Sequence, residues 1–522
     1  MAGTVVTGTP AGGGAVGPAE PPEHPAESGQ GPSGGPPPPA RGAAAESLPP
    51  SADRWARLRA RTRRHTPVRL RLLRATVVAL AAALGTLLLL AGLSASGVWN
   101  GIDHRAAPRV TGADDLYFAL NDMDAQAANL LLSSGGRGGL TPMPAQHSAA
   151  QRLYTAARHT ISTDLQTLAA AAQGDPRATA TVVRFDDDFA RYQELVGRAL
   201  ENDLHPQEKA NALTDYRTAT DLLRQSLLPA AERLGQTNDG AFEDTYRSAR
   251  SGIDARTVAL LVLGGALIAA LLATQLVLAR RFRRLLNPAL AAATACAVAA
   301  CALGWSVLAG QSHDLTVARR DAFDSVVALS QARAMSYDAN ADESRYLLDP
   351  GRRGAYEQAF EDTSQRLLTL PQATLGSYDA RLAAALDAYR ADHADLRFTG
   401  YFGDEFRNIT FPGERAAAEA TVQAYARYER DDRTFRTLVR QGQAQQAVEF
   451  CIGYDQGASN YEFARYDADL EKLIGINHAA YARAVSDGRG SLTGRLPGAG
   501  AALLVAAALT VLGLRPRLAE FR

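Results

Sequence analysis

Residue types that perform catalysis are present in this sequence, but they do not stand at the spacings that catalysis needs. The histidines outside the apolar segments are scattered, whereas a metal site needs three or four converging ligands. No Walker loop, GxSxG, HExxH or paired CxxC motif occurs. We therefore predict that the chain is not an enzyme and holds no metal and no cofactor. The histidines considered are His104, His147, His159, His205, His313, His393 and His478.

The cysteines and the acidic runs have simple structural interpretations. Cys296 and Cys301 lie in an Ala-rich apolar block, where they are expected to act as small packing residues. Cys451 stands alone outside that block and cannot close an intrachain disulfide. The acidic run at residues 186–188 is typical of a solvated helix face. None of these groups predicts a reaction.

Four polar residues fall within helices that are otherwise patterned for a buried core. Asp122 and Asp338 lie in the first helix of two similar segments, and Asn238 and Asn477 occupy equivalent positions in the last helix. A buried Asn at a helix seam most often fixes helix register. The functional alternative is that these four side chains line a polar pocket. The sequence leaves both readings open.

An aromatic insertion, GYFGDEFRNITFPGERAAAEA from Gly400 to Ala420, occurs in only one of the two segments. Its Phe-Pro-Gly stretch must break a helix, and the following Glu begins a new one favourably. We predict a membrane-distal loop that docks an extracytoplasmic protein, since aromatic side chains are good interface anchors. A plain elaborated loop is the alternative. The candidate docking residues are Tyr401, Phe402, Phe406, Asn408, Phe411 and Glu414.

Four apolar blocks predict the elements that must hold these residues. They run over 75–99, 258–279, 285–310 and 496–514, and none contains Asp, Glu, Lys or Arg. About 20 apolar residues cross a hydrocarbon core as a helix. A single charge at the centre of such a helix would cost about 3 kcal/mol. The sequence therefore predicts four transmembrane helices.

Arginine placement predicts how these helices are oriented. Nine arginines lie in the juxtamembrane segment 54–74, four in the short loop 280–284, and three in the C-terminal segment 515–522. Four passes put all three clusters on one side, which the positive-inside rule makes cytoplasmic. Both termini are then cytoplasmic, in the plasma membrane. The long segments 100–257 and 311–495 are expected outside, as two helical bundles.

The N-terminal segment 1–53 has a different composition. Of the first fifty residues 23 are Pro or Gly, and such a segment buries too little apolar area to offset its ordering entropy. We predict a disordered cytoplasmic tail. It is either a solvated tether or, through its polyproline run, a docking site for a cytoplasmic protein.

Internal duplication is the strongest pattern in the sequence. Leu116–Gly135 and Ala332–Gly351 share Asp, Ala, Leu-Leu and Gly at matched positions. Ordered matches of this kind indicate a repeat. Each copy is predicted to contain four helices, of which the last runs into a membrane helix. The predicted fold is an all-α membrane protein with four transmembrane helices and two duplicated extracytoplasmic bundles. Further matches begin at Tyr154 and Tyr356, and at Glu232 and Glu471.

The four passes, the duplicated bundles and the NITFPGER stretch together resemble the GlnX-type membrane proteins of high-GC Gram-positive bacteria. The stretch ADESRYLLDPG also resembles the end of the first helix in four-helix-bundle bacterial sensor domains. The GlnX-type resemblance implies two partners. One is an extracytoplasmic lipoprotein similar to glutamine-binding protein, and the other is a soluble cytoplasmic Ser/Thr kinase, protein kinase G.

Two functions are compatible with these patterns. The first is a transmembrane signal relay that senses a ligand or a liganded binding protein and passes the signal to a separate cytoplasmic effector. The cytoplasmic parts are expected to be too small to form a kinase or cyclase themselves. The second is a structural or assembly scaffold of the cell envelope. The sequence does not decide whether the protein forms a homodimer. Its formal net charge of zero gives no reason to expect nucleic acid as a partner. Transport is not expected, because spans without charged residues offer a solute no path through the membrane.

Overall fold

A computed structural model describes residues 51–135, 139–171, 176–282 and 287–519. The predicted disordered tail, residues 1–53, lies outside the described residues apart from its last three residues, 51–53. The chain divides into two compact units, Met1–Arg63 and Arg64–Arg522, and every contact discussed below lies within the second.

The described residues form fourteen α-helices, and no β-strand occurs among them. One isolated antiparallel bridge joins Thr369 and Thr399. The fold is that of an all-α membrane protein. The helices are α1 Ser51–Gly101, α2 Ala107–Ser133, α3 Pro144–Ala171, α4 Pro176–Asp203, α5 Lys209–Leu222, α6 Leu228–Phe282, α7 Pro288–Thr316, α8 Asp324–Leu348, α9 Arg353–Leu367, α10 Tyr378–Ala391, α11 Gly400–Asn408, α12 Glu414–Arg440, α13 Ala444–Ile452 and α14 Ser459–Ala519.

Four helical stretches of the described chain are long and apolar enough to cross a membrane, and each overlaps one of the four predicted spans. Large apolar side chains remain exposed along them, for example Leu93 at 64%, Val262 at 64% and Leu504 at 75%. A soluble protein rarely exposes so many large apolar side chains along its helices, whereas a lipid-facing surface requires them. These four stretches are the transmembrane helices.

Each transmembrane helix continues without a loop into a helix outside the apolar core. The π-helical segment Ile102–Ala106 joins α1 to α2, and Val317–Phe323 joins α7 to α8. A third π-helical segment, Leu223–Leu227, joins α5 to α6, while α14 is a single helix. The first two segments fall at matched positions of the sequence alignment between the two copies. Inserted π turns of this kind are frequent at functional sites.

The two extramembrane parts differ in complexity. The first bundle, residues 107–257, consists of α2, α3, α4 and a last helix formed by α5 and the start of α6, as predicted. The second bundle, residues 324–495, was also expected to have four helices but contains the additional short helices α10, α11 and α13. Gly400 and Gly413, both with positive φ, stand at the start of the short helix α11 and of the long helix α12 and so set the limits of these two helices.

A buried hydrogen-bond network joins three of the transmembrane helices beside the two bundles. Trp99 of α1 donates from Nε1 to Oε1 of Gln311 in α7 at 2.7 Å. Gln311 donates in turn to the carbonyl of Gly488 at 2.5 Å and to Oγ of Ser491 at 2.7 Å, both in α14. The missing side chain of Gly488 leaves room for the indole ring of Trp99. The remaining span, in α6, is connected to α1 by a hydrogen bond that Arg256 donates to Ser94.

Replacing Gly488 with Ala should therefore destabilise the protein, because the new methyl group would overlap the Trp99 ring. Overpacking of this kind costs about 1–3 kcal/mol. Gly490→Ala is the matched control, since nothing lies within 4 Å of the added carbon, and Ala favours a helix by about 0.8–1 kcal/mol over Gly. Thermal unfolding of the detergent-solubilised protein should show a lower midpoint for Gly488→Ala only. Equal midpoints would contradict this packing.

Candidate functional site

The two bundles pack against each other along α2 and α8, the first helix of each. α2 contacts α3 and α6 of its own bundle and α8 of the other. Both helices are buried on several sides, so their polar residues must find partners inside the protein. The candidate site is built from these residues.

Arg345 of α8 lies at the centre of this interface with no exposed side-chain surface. Its guanidinium donates to Asp124 of α2 at 2.6 Å and 3.0 Å. It also donates to Asp342 at 2.6 Å and Asp338 at 2.9 Å on α8. Arg224, in the π-helical segment of the first bundle, pairs with the same two α8 carboxylates. A cluster of opposite charges thus joins the two bundles.

Hydrogen bonds from the first bundle complete this cluster. The hydroxyl groups of Tyr192 and Tyr216 donate to the two oxygens of Asp124 at 2.8 Å and 3.1 Å. Burial alone would raise the pKa of Asp338, but Arg224 and Arg345 outweigh it and hold that pKa at about 2. Asp338 is therefore ionised at neutral pH and belongs to a fixed ionic contact. This placement makes it a partner of both Arg224 and Arg345.

A cleft of about 480 Å³ opens beside the same interface. Residues of α2, α3, α8, α14 and the segment before α14 form its walls, so both bundles contribute to it. It combines carboxylates, amides and aromatic rings, which is the composition of a small-molecule site. The lining residues are Asp122, Gln126, Ala149, Arg152, Leu153, Tyr337, Asn340, Tyr454, Asn460, Phe463, Ala464 and Asp467.

Asp122 is the predicted polar residue that the structure places in this cleft. It is half-buried, and Nε2 of Gln126 donates to its Oδ1 at 3.0 Å. The hydroxyl of Tyr454 contacts Gln126 at 3.4 Å and extends this wall. Burial raises the pKa of Asp122 to about 6, with a further contribution from the negative charge of Asp467. Because Asp122 is partly shielded from water, its ionised carboxylate would attract a cation in the cleft more strongly than a solvent-exposed carboxylate would.

The opposite wall is an organised set of side chains on α8 and α14. Arg333 donates to both oxygens of Asp467, at 2.6 Å and 2.8 Å, and the hydroxyl of Tyr337 donates to the same carboxylate at 3.1 Å. The rings of Tyr337 and Phe463 meet edge to face with centroids 4.8 Å apart. These contacts fix the wall before any ligand arrives.

The two predicted seam asparagines lie outside the lining of the cleft. Asn238 donates to the backbone carbonyl of Arg109 at 2.9 Å. Asn477 is fully buried, and its amide contacts Glu405 of α11 at 3.4 Å. Both make contacts between helices, which is the structural alternative stated for them. Their role in helix register stays a prediction.

The aromatic insertion is not the exposed, membrane-distal loop that the sequence predicted. Phe402 and Phe406 lie in α11 with 0% and 6% of their surface exposed, packed in the core of the second bundle. Tyr401 is half-buried and contacts Gln331 of α8 through its hydroxyl. The expected exposure is wrong because the insertion folds into a short helix whose apolar face the bundle core covers.

Two polar residues fix the position of this insertion near the membrane. Asn408 donates to the carbonyl of Asp321 at 3.0 Å and to Ser325 at 2.9 Å, at the start of α8. Glu414 is fully buried and accepts hydrogen bonds from the backbone N–H groups of Thr410 and Phe411. The segment therefore lies at the membrane-near end of the second bundle, because α12 runs away from the membrane and not toward it.

Arg345 and Asp124 were not predicted as site residues, although the sequence contains a signal for the ionic cluster. Asp338, Asp342 and Arg345 follow a spacing of four and three residues, which places them on one face of a helix. The helix is α8, in which apolar and polar residues are otherwise not separated onto opposite faces. Charges on the interior face of such a helix predict a buried ionic contact.

Residues 98–247 match the family model of the Actinobacterial sensor domain. The matched range begins at the end of the first span and covers α2, α3, α4, α5 and the extramembrane start of α6. No curated protein and no solved structure matches the chain. The match supports a membrane protein with a sensor domain, and most of the matched residues lie in the first bundle. A sensor domain suggests signal sensing and transduction.

Replacing Arg345 with Ala should strongly destabilise the protein, because three carboxylates would lose their buried cation. Breaking a buried ion pair from one side costs about 3–5 kcal/mol. Arg352→Ala is the matched control, since this arginine also joins the bundles, through Asp221, but both side chains are about 40% exposed and such pairs contribute up to about 1 kcal/mol. Thermal unfolding should separate the two variants clearly. Similar midpoints would show that the Arg345 cluster does not stabilise the interface.

Proposed function

We propose that this protein is a transmembrane signal relay. Its two bundles sense a ligand or a liganded extracytoplasmic binding protein, and its transmembrane helices pass the signal to a separate cytoplasmic effector. The observation that carries the proposal is the continuity of the helices. All four spans extend directly into the bundles that form the cleft.

Helix continuity gives the cleft a mechanical connection to the membrane. α2, α8 and α14 all line the cleft, and each is continuous with a different span. A ligand that binds one arrangement of the two bundles more tightly shifts the population toward it. Shifts of 1–2 Å between packed helices suffice for such switching. The π-helical segments after the first and third spans are the places where the helices can adjust.

Contacts inside the membrane suit small movements of this kind. Gly92 of α1 lies against Leu496 of α14, and Gly304 of α7 lies against Leu88 and Leu260. Small residues at such crossings let helix backbones approach closely. The Trp99 and Gln311 network then joins three spans at the level where they enter the bundles. A displacement of any one of these spans would reach the other two.

The partners of the relay are proposed from the GlnX-type resemblance. They are an amino-acid-binding lipoprotein outside and a Ser/Thr kinase inside. Purification of the full-length protein from native membranes, followed by mass spectrometry, should recover both. Recovery of envelope or secretion machinery in place of both would favour the scaffold.

The orientation required by this function can be tested with single cysteines. In a variant without native cysteines, Gln151→Cys on exposed α3 should react with a membrane-impermeant maleimide in intact cells. Arg515→Cys, at the far end of α14, is the matched control and should react only after lysis. The reverse pattern would contradict the arginine-based orientation, in which positive clusters stay cytoplasmic.

Coupling between the bundles and the spans can be read from Trp99. With Trp55 and Trp305 replaced by Phe, Trp99 is the only tryptophan and reports on the junction of three spans. Arg345 lies roughly 50 Å away along the continuous α7–α8 helix, at 1.5 Å per residue. Arg345→Ala should change Trp99 emission in nanodiscs well below the unfolding midpoint, and Arg352→Ala should not. A relay requires that response, and an unchanged Trp99 spectrum in both variants would favour the scaffold.

A further inference from the structure

Asp122, a carboxylate in the cleft, forms no ion pair within the described part of the chain. Arg333, which lies behind the cleft wall, is paired with Asp467. Among the described residues, the hydrogen bond that the structure gives Asp122 comes from the neutral amide of Gln126, to Oδ1. A half-buried carboxylate in this situation is stabilised by a cation. Its second oxygen accepts no hydrogen bond from the described residues.

The cleft also contains a donor that lacks an acceptor. Asn460 is 5% exposed, and its Oδ1 accepts a hydrogen bond from Asn340 at 3.3 Å. Its Nδ2 is buried and has no partner within the described part of the chain. An unsatisfied buried amide is costly. An acceptor oxygen of a ligand would satisfy it.

Aromatic rings and one basic side chain complete the site. Tyr337, Tyr454 and Phe463 line the cleft, and ring faces attract organic cations. Arg152 of α3 is exposed at the rim. The site therefore offers a negative group and aromatic surface inside, with a positive charge at the edge.

We propose that this cleft binds a small molecule that carries an ammonium group and an acceptor oxygen, that is, an amino alcohol or an amino acid. The ammonium group binds Asp122, and the acceptor oxygen receives the hydrogen bond from Nδ2 of Asn460. Arg152 adds attraction where the acceptor is a carboxylate. This inference rests on the proposed relay and names the ligand class of its sensory site.

Binding should depend on pH through Asp122. Its pKa is about 6, raised first by burial and also by Asp467, and lowered by Gln126 and Arg333. An ammonium group needs the ionised carboxylate, so binding should be strong above pH 6 and weaken below it. The other charged or titratable groups facing it are Arg152 on α3, Arg333, Tyr337 and Asp467 on α8 and α14, and Tyr454, whose pKa burial raises to about 12.

The test uses the full-length protein in nanodiscs, with the standard amino acids and a set of amino alcohols including ethanolamine as probes. At least one amine should raise the thermal midpoint saturably at pH 7.5 and lose affinity at pH 5, while acetate should have no effect. Asp122→Asn should weaken that binding by roughly tenfold to a hundredfold, the value of a charged hydrogen bond. Asp187→Asn, on an exposed face of α4, should bind as the unmodified protein does.

Two further variants complete the test. Asn460→Ala should weaken binding of the same ligand. This variant tests the site independently if Asp122→Asn does not fold. Arg152→Gln should weaken binding of an amino acid but leave binding of an amino alcohol unchanged. This difference distinguishes the two kinds of ligand. The inference is overturned if no probe binds, or if Asp122→Asn and Asn460→Ala bind as well as the unmodified protein. A response of Trp99 to Arg345→Ala without any amine binding would overturn this inference and leave the relay standing.

Discussion

The guanidinium of Arg345 is fully buried between the two bundles, and the arrangement of the molecule depends on how its charge is balanced. Removing charges from water costs several kcal/mol for each ion, so a buried arginine persists only when carboxylates and hydrogen bonds surround it. Asp124 supplies that balance from the first bundle, and Asp338 and Asp342 supply it from the second. Any slip of α2 along α8 would separate these charges in a dry interior. The cluster thus selects one register between the bundles.

The cleft exists because this register is fixed. Asp122 lies two residues before Asp124 on α2, and Tyr337 lies one residue before Asp338 on α8. These residues turn toward the cleft while their neighbours enter the ionic cluster. One interface therefore carries both a rigid contact and an open polar surface. The helices on both sides of the cleft continue into the membrane spans. In the proposed relay, a change in the cleft would pass along these helices to the Trp99 network at the membrane boundary.

The insertion after α10 shows how a residue pattern can mislead. A stretch with Tyr401, Phe402, Phe406 and Phe411 between breakers has the composition of an exposed interface loop. The same composition also fits a short amphipathic helix that covers the end of a bundle. Choosing between them requires knowing whether apolar partners are within reach, and those partners include Tyr389 of α10, Tyr425 of α12 and Tyr466 of α14. Local pattern cannot supply that information.

The sequence by itself determined the four spans, the all-α class and the four helices of the first bundle. These depend on runs of apolar residues, helical periodicity and breakers, which act within about twenty neighbouring residues. It also marked Asp122 as a polar residue in a core helix. Only the tertiary structure decided that Asp122 faces a cleft while Asp338, its counterpart in the predicted repeat, enters a buried ionic cluster. The reason is that their partners, Gln126 and Tyr454 for one and Arg224 and Arg345 for the other, are brought together by packing between bundles.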